Sequence, residues 1–295
     1  VAQLGGLLKV RCRVPPLVAV PTTAGTGSET TIAAVITDAA THHKYAIMDL
    51  NLVPLYAVMD PELTRDLPQK TTSTTGMDAL THAVEAYLCW TNNTAESIRL
   101  AEEAVIAIFK YLERAYNNGS DMEAREEMLK ASFKAGFAFT RAGVGNVHAI
   151  AHSLGGQYGT PHGLANAVIL PHVLRAYGDA VAPKLATLAR HAGIAGPQET
   201  DAAASASFIH WVDDMNARLG IPRHLGGILA DDLETMAAHA DAEANPLYPV
   251  PVLWGRTALE HMYRVVAGGR FADEPAPENP HRDARELATP QGATA

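Results

Sequence analysis

Two residue pairs at helical spacing constrain this chain more than any other feature. Asp78 and His82 stand four apart in the segment Gly76–Glu85, and His148 and His152 stand four apart in His148-Ala149-Ile150-Ala151-His152. On an α-helix, residues i and i+4 are neighbours on one face. A carboxylate and an imidazole, or two imidazoles, then converge on one point. A third site, Pro161-His162-Gly163, comes just before an apolar helical run from Leu164. A helix N-terminus there disfavours imidazolium and keeps His162 in the neutral form that ligates metal.

The surrounding pattern is helical. After Pro68, Gly, Pro and β-branched residues thin out, and Ala, Leu, Glu and Met at helical spacing take over. Ser73, Thr74 and Thr75 offer N-caps for a helix carrying Asp78 and His82. Ala95–Asn117 is amphipathic through Ile98, Ala101, Ala104, Val105, Ile108, Tyr111 and Leu112, and Asn118-Gly119 stops it. Further helices are expected at 121–140, 144–154 (closed by Gly155-Gly156), 164–177, 180–192, 202–219, 228–240 and 257–266. Residues 66–268 thus read as an all-helical domain, and 269–295, polar and rich in Pro and Ala, as a disordered tail.

Residues 1–65 differ. Leu17–Val20 is a short apolar run expected as a buried strand, and it leads into the small-residue loop Thr22–Glu29. Two more strands are expected at 33–37 and 55–59. The fold class expected is an α/β layer followed by a helical domain.

Each histidine site alone has an ordinary explanation. Asp78 could cap its helix in a Thr-x-x-Asp box, and His148 and His152 could be hydrogen-bonded core residues. Unpartnered, two buried imidazoles would cost roughly 2 kcal/mol or more. Together, one Asp and three or four His on three neighbouring helices point to a shared metal. Imidazole and carboxylate suit Fe(II), Zn(II), Ni(II) or Co(II) over Mg or Ca, and the absence of thiolate excludes a Cys-type zinc finger. The spacing leaves open which of His148 and His152 is the ligand. His42, His43, His172, His191, His210, His224, His239, His261 and His281 show no such spacing and read as surface or packing residues.

Composition narrows the class further. With 295 residues, 47% hydrophobic and 19% charged, the chain can bury a sizeable core and holds more than one domain. A net charge of -9 without a basic stripe argues against nucleic acid and anionic membrane surfaces. No apolar run approaches the ~18 residues of a membrane span. Two cysteines, Cys12 and Cys89, make no disulfide framework and fit a reducing, cytoplasmic compartment.

The motifs Pro21–Glu29 (PTTAGTGSE), Gly76–Tyr87 (GMDALTHAVEAY) and His148–Ala167 (HAIAHSLGGQYGTPHGLANA), with the block Ala242–Leu253 (AEANPLYPVPVL), resemble the iron-containing, group III alcohol dehydrogenases. The architecture implied is shared with dehydroquinate synthase. The resemblance implies a metal, Fe(II) or Zn(II), on Asp78, His82, His148 and His162. It implies that His152 lies near the nicotinamide of NAD or NADP and takes part in proton transfer. Thr22, Thr23, Gly25, Thr26, Ser28, Val35, Lys44 and Leu63 match cofactor-side positions. The implied reaction is hydride transfer between a small alcohol and NAD(P), with an aldehyde or ketone as the other substrate, in a cytoplasmic homodimer.

The same resemblance implies a preceding segment with the first strands of the cofactor domain and a GGGS-x-x-D loop for the pyrophosphate. Leu4-Gly5-Gly6-Leu7 is not that loop, so the cofactor sheet is expected to be incomplete. Two alternatives follow: a remnant that binds metal with little turnover, and a zinc-dependent NAD-binding lyase or glycerol dehydrogenase-like enzyme on the same fold.

Overall fold

The helical pattern that begins after Pro68 runs unbroken into α1, Gln69–Leu88. The computed structural model describes residues 2–11, 14–38, 44–268 and 282–283. From Gly76 to Leu88 every residue of α1 is buried, because other helices pack around it. α2 (Ala95–Asn117) and α3 (Met122–Ala142) contact it and each other, and α5 (His162–Tyr177) also contacts it. Met77, Leu80 and Val84 of α1 join Val105, Ile108 and Leu112 of α2 in one core.

The expected N-caps of α1 lie inside it. The Thr74 and Thr75 hydroxyls each donate at 2.8 Å to a carbonyl one turn earlier, those of Lys70 and Thr71. Such back-bonding lets hydroxyl residues sit within a helix, and the entry is set by Pro68. Asp78 is therefore mid-helix and caps nothing. Real caps occur elsewhere: Thr94 and Ser97 form a reciprocal box at α2, and Asp121 accepts from Ala124 N–H at α3. Ile98, counted in the apolar stripe of α2, is exposed.

α4 spans Asn146–Tyr158 and packs on α5 and on α8, Leu233–Ala244. It runs through Gly155 and Gly156, which were expected to close it, and stops at Gly159, whose φ of 65° is the left-handed cap. α6 (Ala182–His191) pairs with α7 (Asp201–Arg218), and α9 (Arg256–Ala267) pairs with α8. α8 begins later than expected because Ala230–Asp232 forms a 3-10 turn. All nine α-helices among the described residues lie between 69 and 267.

The α/β part is two small sheets. β1 (Gly6–Leu7) runs parallel to β4 (Lys44–Met48), and β4 pairs antiparallel with β3 (Ala33–Thr37) in the register Ala33↔Met48 to Thr37↔Lys44. β4 was not expected from the sequence. β2 (Val18–Ala19) runs parallel to β5 (Tyr56–Ala57). Both are shorter than expected, and β2 is not a buried strand: Leu17, Val18 and Val20 are 51%, 53% and 48% exposed. Burial of a parallel strand needs layers on both faces, and β5 is its one strand partner among the described residues.

Within the helical part, β6 (Val252–Leu253) pairs antiparallel with β7 (Arg282–Asp283). The rest of the tail expected at 269–295 lies outside the described residues, as do Cys12, His42, His43 and His281. No helix is long and apolar enough to cross a membrane among the described residues.

Candidate metal centre

α1, α4 and α5 bring Asp78, His82, His148 and His162 together, with one potential ligand atom from each within 4.8 Å of the others. Asp78, His82 and His148 are buried, and His162 is half-buried at the helix start. Close packing makes this possible. A Cβ on Gly163 would lie 2.4 Å from the Thr74 carbonyl oxygen, so only glycine lets the N-terminus of α5 press His162 against α1.

Three of the histidines in this region are oriented through Nδ1. Glu85, one turn beyond His82 on α1, meets His148 Nδ1 at 2.5 Å through Oε2, while its Oε1 accepts from the Val147 backbone N–H at 2.8 Å. His82 Nδ1 meets the carbonyl oxygen of Gly25 at 3.3 Å. His152 Nδ1 meets Glu243 Oε1 on α8 at 2.6 Å. A ring that donates from Nδ1 keeps a lone pair on Nε2, the pattern of metal-site histidines. The His82 ring also stacks on Phe139, with centroids 4.3 Å apart.

Burial pushes His82 below its ordinary imidazole value, against the raising effect of Asp78. Burial also pushes the Glu85 carboxyl up to about 8, opposed by backbone N–H groups including that of Val147.

Asn166 tests whether the cluster suits a cation. Its Nδ2 lies 2.6 Å from Asp78 Oδ1, 3.2 Å from His148 Nε2 and 3.1 Å from His162 Nε2. One amide NH2 carries two protons and here faces three side-chain atoms of the cluster. A carboxylate oxygen and imidazole nitrogens converging on one point are what a divalent ion can bind. Three imidazoles and one carboxylate suit Fe(II), Zn(II), Ni(II) or Co(II). The residues present fit the metal.

His152 stands outside the four-residue cluster. Its ring stacks on His162 at 5.1 Å and lies 5.9 Å from His148. It borders a cavity of about 330 Å³ between the α/β part and α4 and α8. Val35, Tyr45 and Met48 form one wall, and Glu243, Tyr248 and His239 contribute to the other. His239, read from the sequence as a surface or packing residue, is thus a cavity residue.

The expected cofactor positions are only partly assembled. Gly25 reaches His82 because its loop packs on α1, where a Cβ would lie 2.3 Å from the Thr75 carbonyl oxygen. Val35 lines the cavity. Thr22, Thr26 and Ser28 are exposed and Thr23 half-buried, with Thr26 Oγ1 accepting from Ser28 N–H at 3.3 Å. Leu63 is exposed on the 3-10 turn Pro61–Thr64 and does not line this cavity. Lys44 is placed on β4 by its backbone.

Glu85, Phe139, Asn166, Glu243 and Tyr248 were not singled out from the sequence. Glu85 carried a spacing signal there, seven residues from Asp78 and three from His82 on the same helical face, while Asn166, Glu243 and Tyr248 lay within the quoted motif blocks without a spacing that marked them.

Fold and site together define a helical domain carrying an Asp/His metal-type cluster, joined to a small α/β part. The C-terminal region model of the Fe-containing alcohol dehydrogenase family matches residues 72–264, and the iron-containing alcohol dehydrogenase model matches residues 4–61. The chain belongs to the iron-containing alcohol dehydrogenase family. The 1,3-propanediol dehydrogenase of Citrobacter freundii is 43% identical over 236 residues, which are 79% of this chain and 60% of that protein. The NAD-dependent methanol dehydrogenase of Bacillus methanolicus is 40% identical over 80% of this chain and 62% of its own length. The solved 1,3-propanediol oxidoreductase superposes with a TM-score of 0.84 at 38% identity, covering 89% of this chain and 69% of that one. The chain thus spans about three fifths of the length of these two curated relatives.

Proposed function

We propose that this chain provides the metal and substrate site of an NAD(P)-dependent alcohol dehydrogenase acting on small alcohols and the matching aldehydes or ketones. The carrying observation is the convergence of Asp78, His82, His148 and His162 beside a cavity bordered by both parts of the chain. The relatives' names, a propanediol and a methanol dehydrogenase, support the reaction class, and the second names NAD.

Asp78, His82, His148 and His162 would hold the metal, with Glu85 and Gly25 fixing two of the rings. When bound, the metal would supply Lewis-acid chemistry toward an alcohol or carbonyl oxygen, and a nicotinamide cofactor would supply hydride chemistry. His152 takes the hydroxyl proton of the alcohol and returns one to the carbonyl oxygen in reverse. Val35, Tyr45 and Met48 exclude water around the reacting carbon. The cavity volume suits a small substrate, and the chain acts as a cytoplasmic homodimer.

The test is the purified chain with Fe(II) or Zn(II), NAD(H) or NADP(H), and a panel of short alcohols and aldehydes, followed by nicotinamide absorbance. Turnover that needs metal supports the reading. Stoichiometric metal binding without turnover in any combination would leave a metal-binding remnant. Conversion of a phosphorylated sugar acid without net redox change would favour the lyase.

A further inference from the structure

The site contains a carboxylate, within the block Ala242–Leu253, that no metal-ligand role absorbs. Glu243 lies on α8, 91 residues from His152 in sequence, and its side chain is about one-quarter exposed at the cavity wall. Its Oε1 meets His152 Nδ1 at 2.6 Å and also accepts from the Tyr248 hydroxyl. Burial holds the Tyr248 phenol well above its ordinary value, with the Glu243 charge adding to the effect, so Tyr248 is a proton donor here.

A carboxylate can only accept. A single oxygen meeting a phenol O–H and an imidazole nitrogen therefore requires His152 to carry its proton on Nδ1. The lone pair is then on Nε2, the nitrogen on the other side of the ring. The ring plane is held by stacking on His162, with an interplanar angle of 20°.

We propose that Glu243 is the positioning residue of His152. It fixes the Nδ1–H tautomer and the ring orientation, so that Nε2 can take the substrate's hydroxyl proton. This rests on the proton-transfer role assigned to His152 above. Tyr248 restrains the carboxylate through its hydroxyl. The substrate O–H bond breaks, its proton moves to Nε2, and Nδ1–H stays hydrogen-bonded to Glu243.

The test reads the tautomer directly and needs no turnover. The full chain is labelled with 15N-histidine, and the His152 signals are assigned by their loss in His152→Gln. The wild type is expected to show Nδ1 protonated and Nε2 bare. Glu243→Ala is expected to lose the Nδ1–H signal. An Nε2–H tautomer in the wild type, or an unchanged spectrum in Glu243→Ala, overturns the proposal. If Glu243→Ala does not fold, Glu243→Gln serves. Its amide oxygen still accepts, so the Nδ1–H signal is kept but its proton moves upfield, and an unmoved proton overturns the proposal.

In the loaded enzyme, Glu243→Gln is expected to lower kcat about tenfold with KM for the alcohol little changed. The expected tautomer pattern in a chain without dehydrogenase activity would sink the functional reading while leaving the positioning intact.

Discussion

Glu85 on α1 orients His148 on α4 by a 2.5 Å contact between two side chains that are almost fully buried. The same carboxylate accepts the Val147 N–H, so it ties down both the ring and the first turn of its helix. Partners behind a ligand typically change metal affinity 10–100-fold when removed. Glu85→Gln is therefore expected to weaken metal binding by about that factor, measured by competition with a chromophoric chelator. Wild-type affinity in that variant would show that His148 needs no carboxylate behind it.

The four-residue cluster and His152 separate cleanly by substitution. Asp78→Ala and His162→Ala are expected to lose most bound metal in elemental analysis. His152→Ala is expected to keep it while losing turnover, because the ring lies beside the cluster and is not one of its four members. Equal metal loss in His152→Ala and His148→Ala would reverse their roles.

Gly163 tests whether the site depends on how tightly α5 approaches α1. A methyl group there would sit 2.4 Å from a backbone carbonyl oxygen, which cannot rotate away. Gly163→Ala is expected to cost roughly 1–3 kcal/mol in urea unfolding and to weaken metal binding by displacing His162. The control is Gly159→Asn. Gly159 also departs from ordinary backbone, with φ at 65°, but has open space around it and tolerates Asn. Equal destabilisation by both would remove the close-approach argument.

The ligand set was legible in the sequence because helical spacing is local. Asp78 with His82 needs only one helix, and so does His148 with His152. The partners of those rings were not legible, because Glu243 meets His152 across 91 residues and Gly25 meets His82 across 57. Glu85 lay within the recognised motif but looked like any surface glutamate on a helix. The helices of 69–267 followed from periodicity, whereas their ends shifted where Thr74 and Thr75 bonded backward and where Gly159, not Gly155, supplied the left-handed stop. β2 failed as a buried strand because burial depends on layers that a run of four apolar residues does not specify.

His172 offers a pH test away from the metal. It is buried on α5, its Nε2 meets the Arg223 carbonyl oxygen at 3.1 Å, and its ring stacks on His224 at 5.5 Å. Burial lowers its pKa, Arg175 and His224 add to that, and Asp213 and the Arg223 carbonyl oppose it. Below about 6.5 the unfolded chain takes up a proton at this position that the folded chain resists. Stability is then lost as pH falls from the unfolded value toward the lowered folded one, since the unfolded state binds more protons. His172→Gln keeps a donor near the Nε2 position and does not titrate. The wild type is expected to exceed this variant in Tm by most near pH 7.5, with the difference shrinking toward pH 5. Groups that do not interact with His172 titrate alike in both proteins and cancel in the difference. A Tm difference that stays constant from pH 7.5 to 5 would mean that His172 is charged as easily in the folded chain as in the unfolded one.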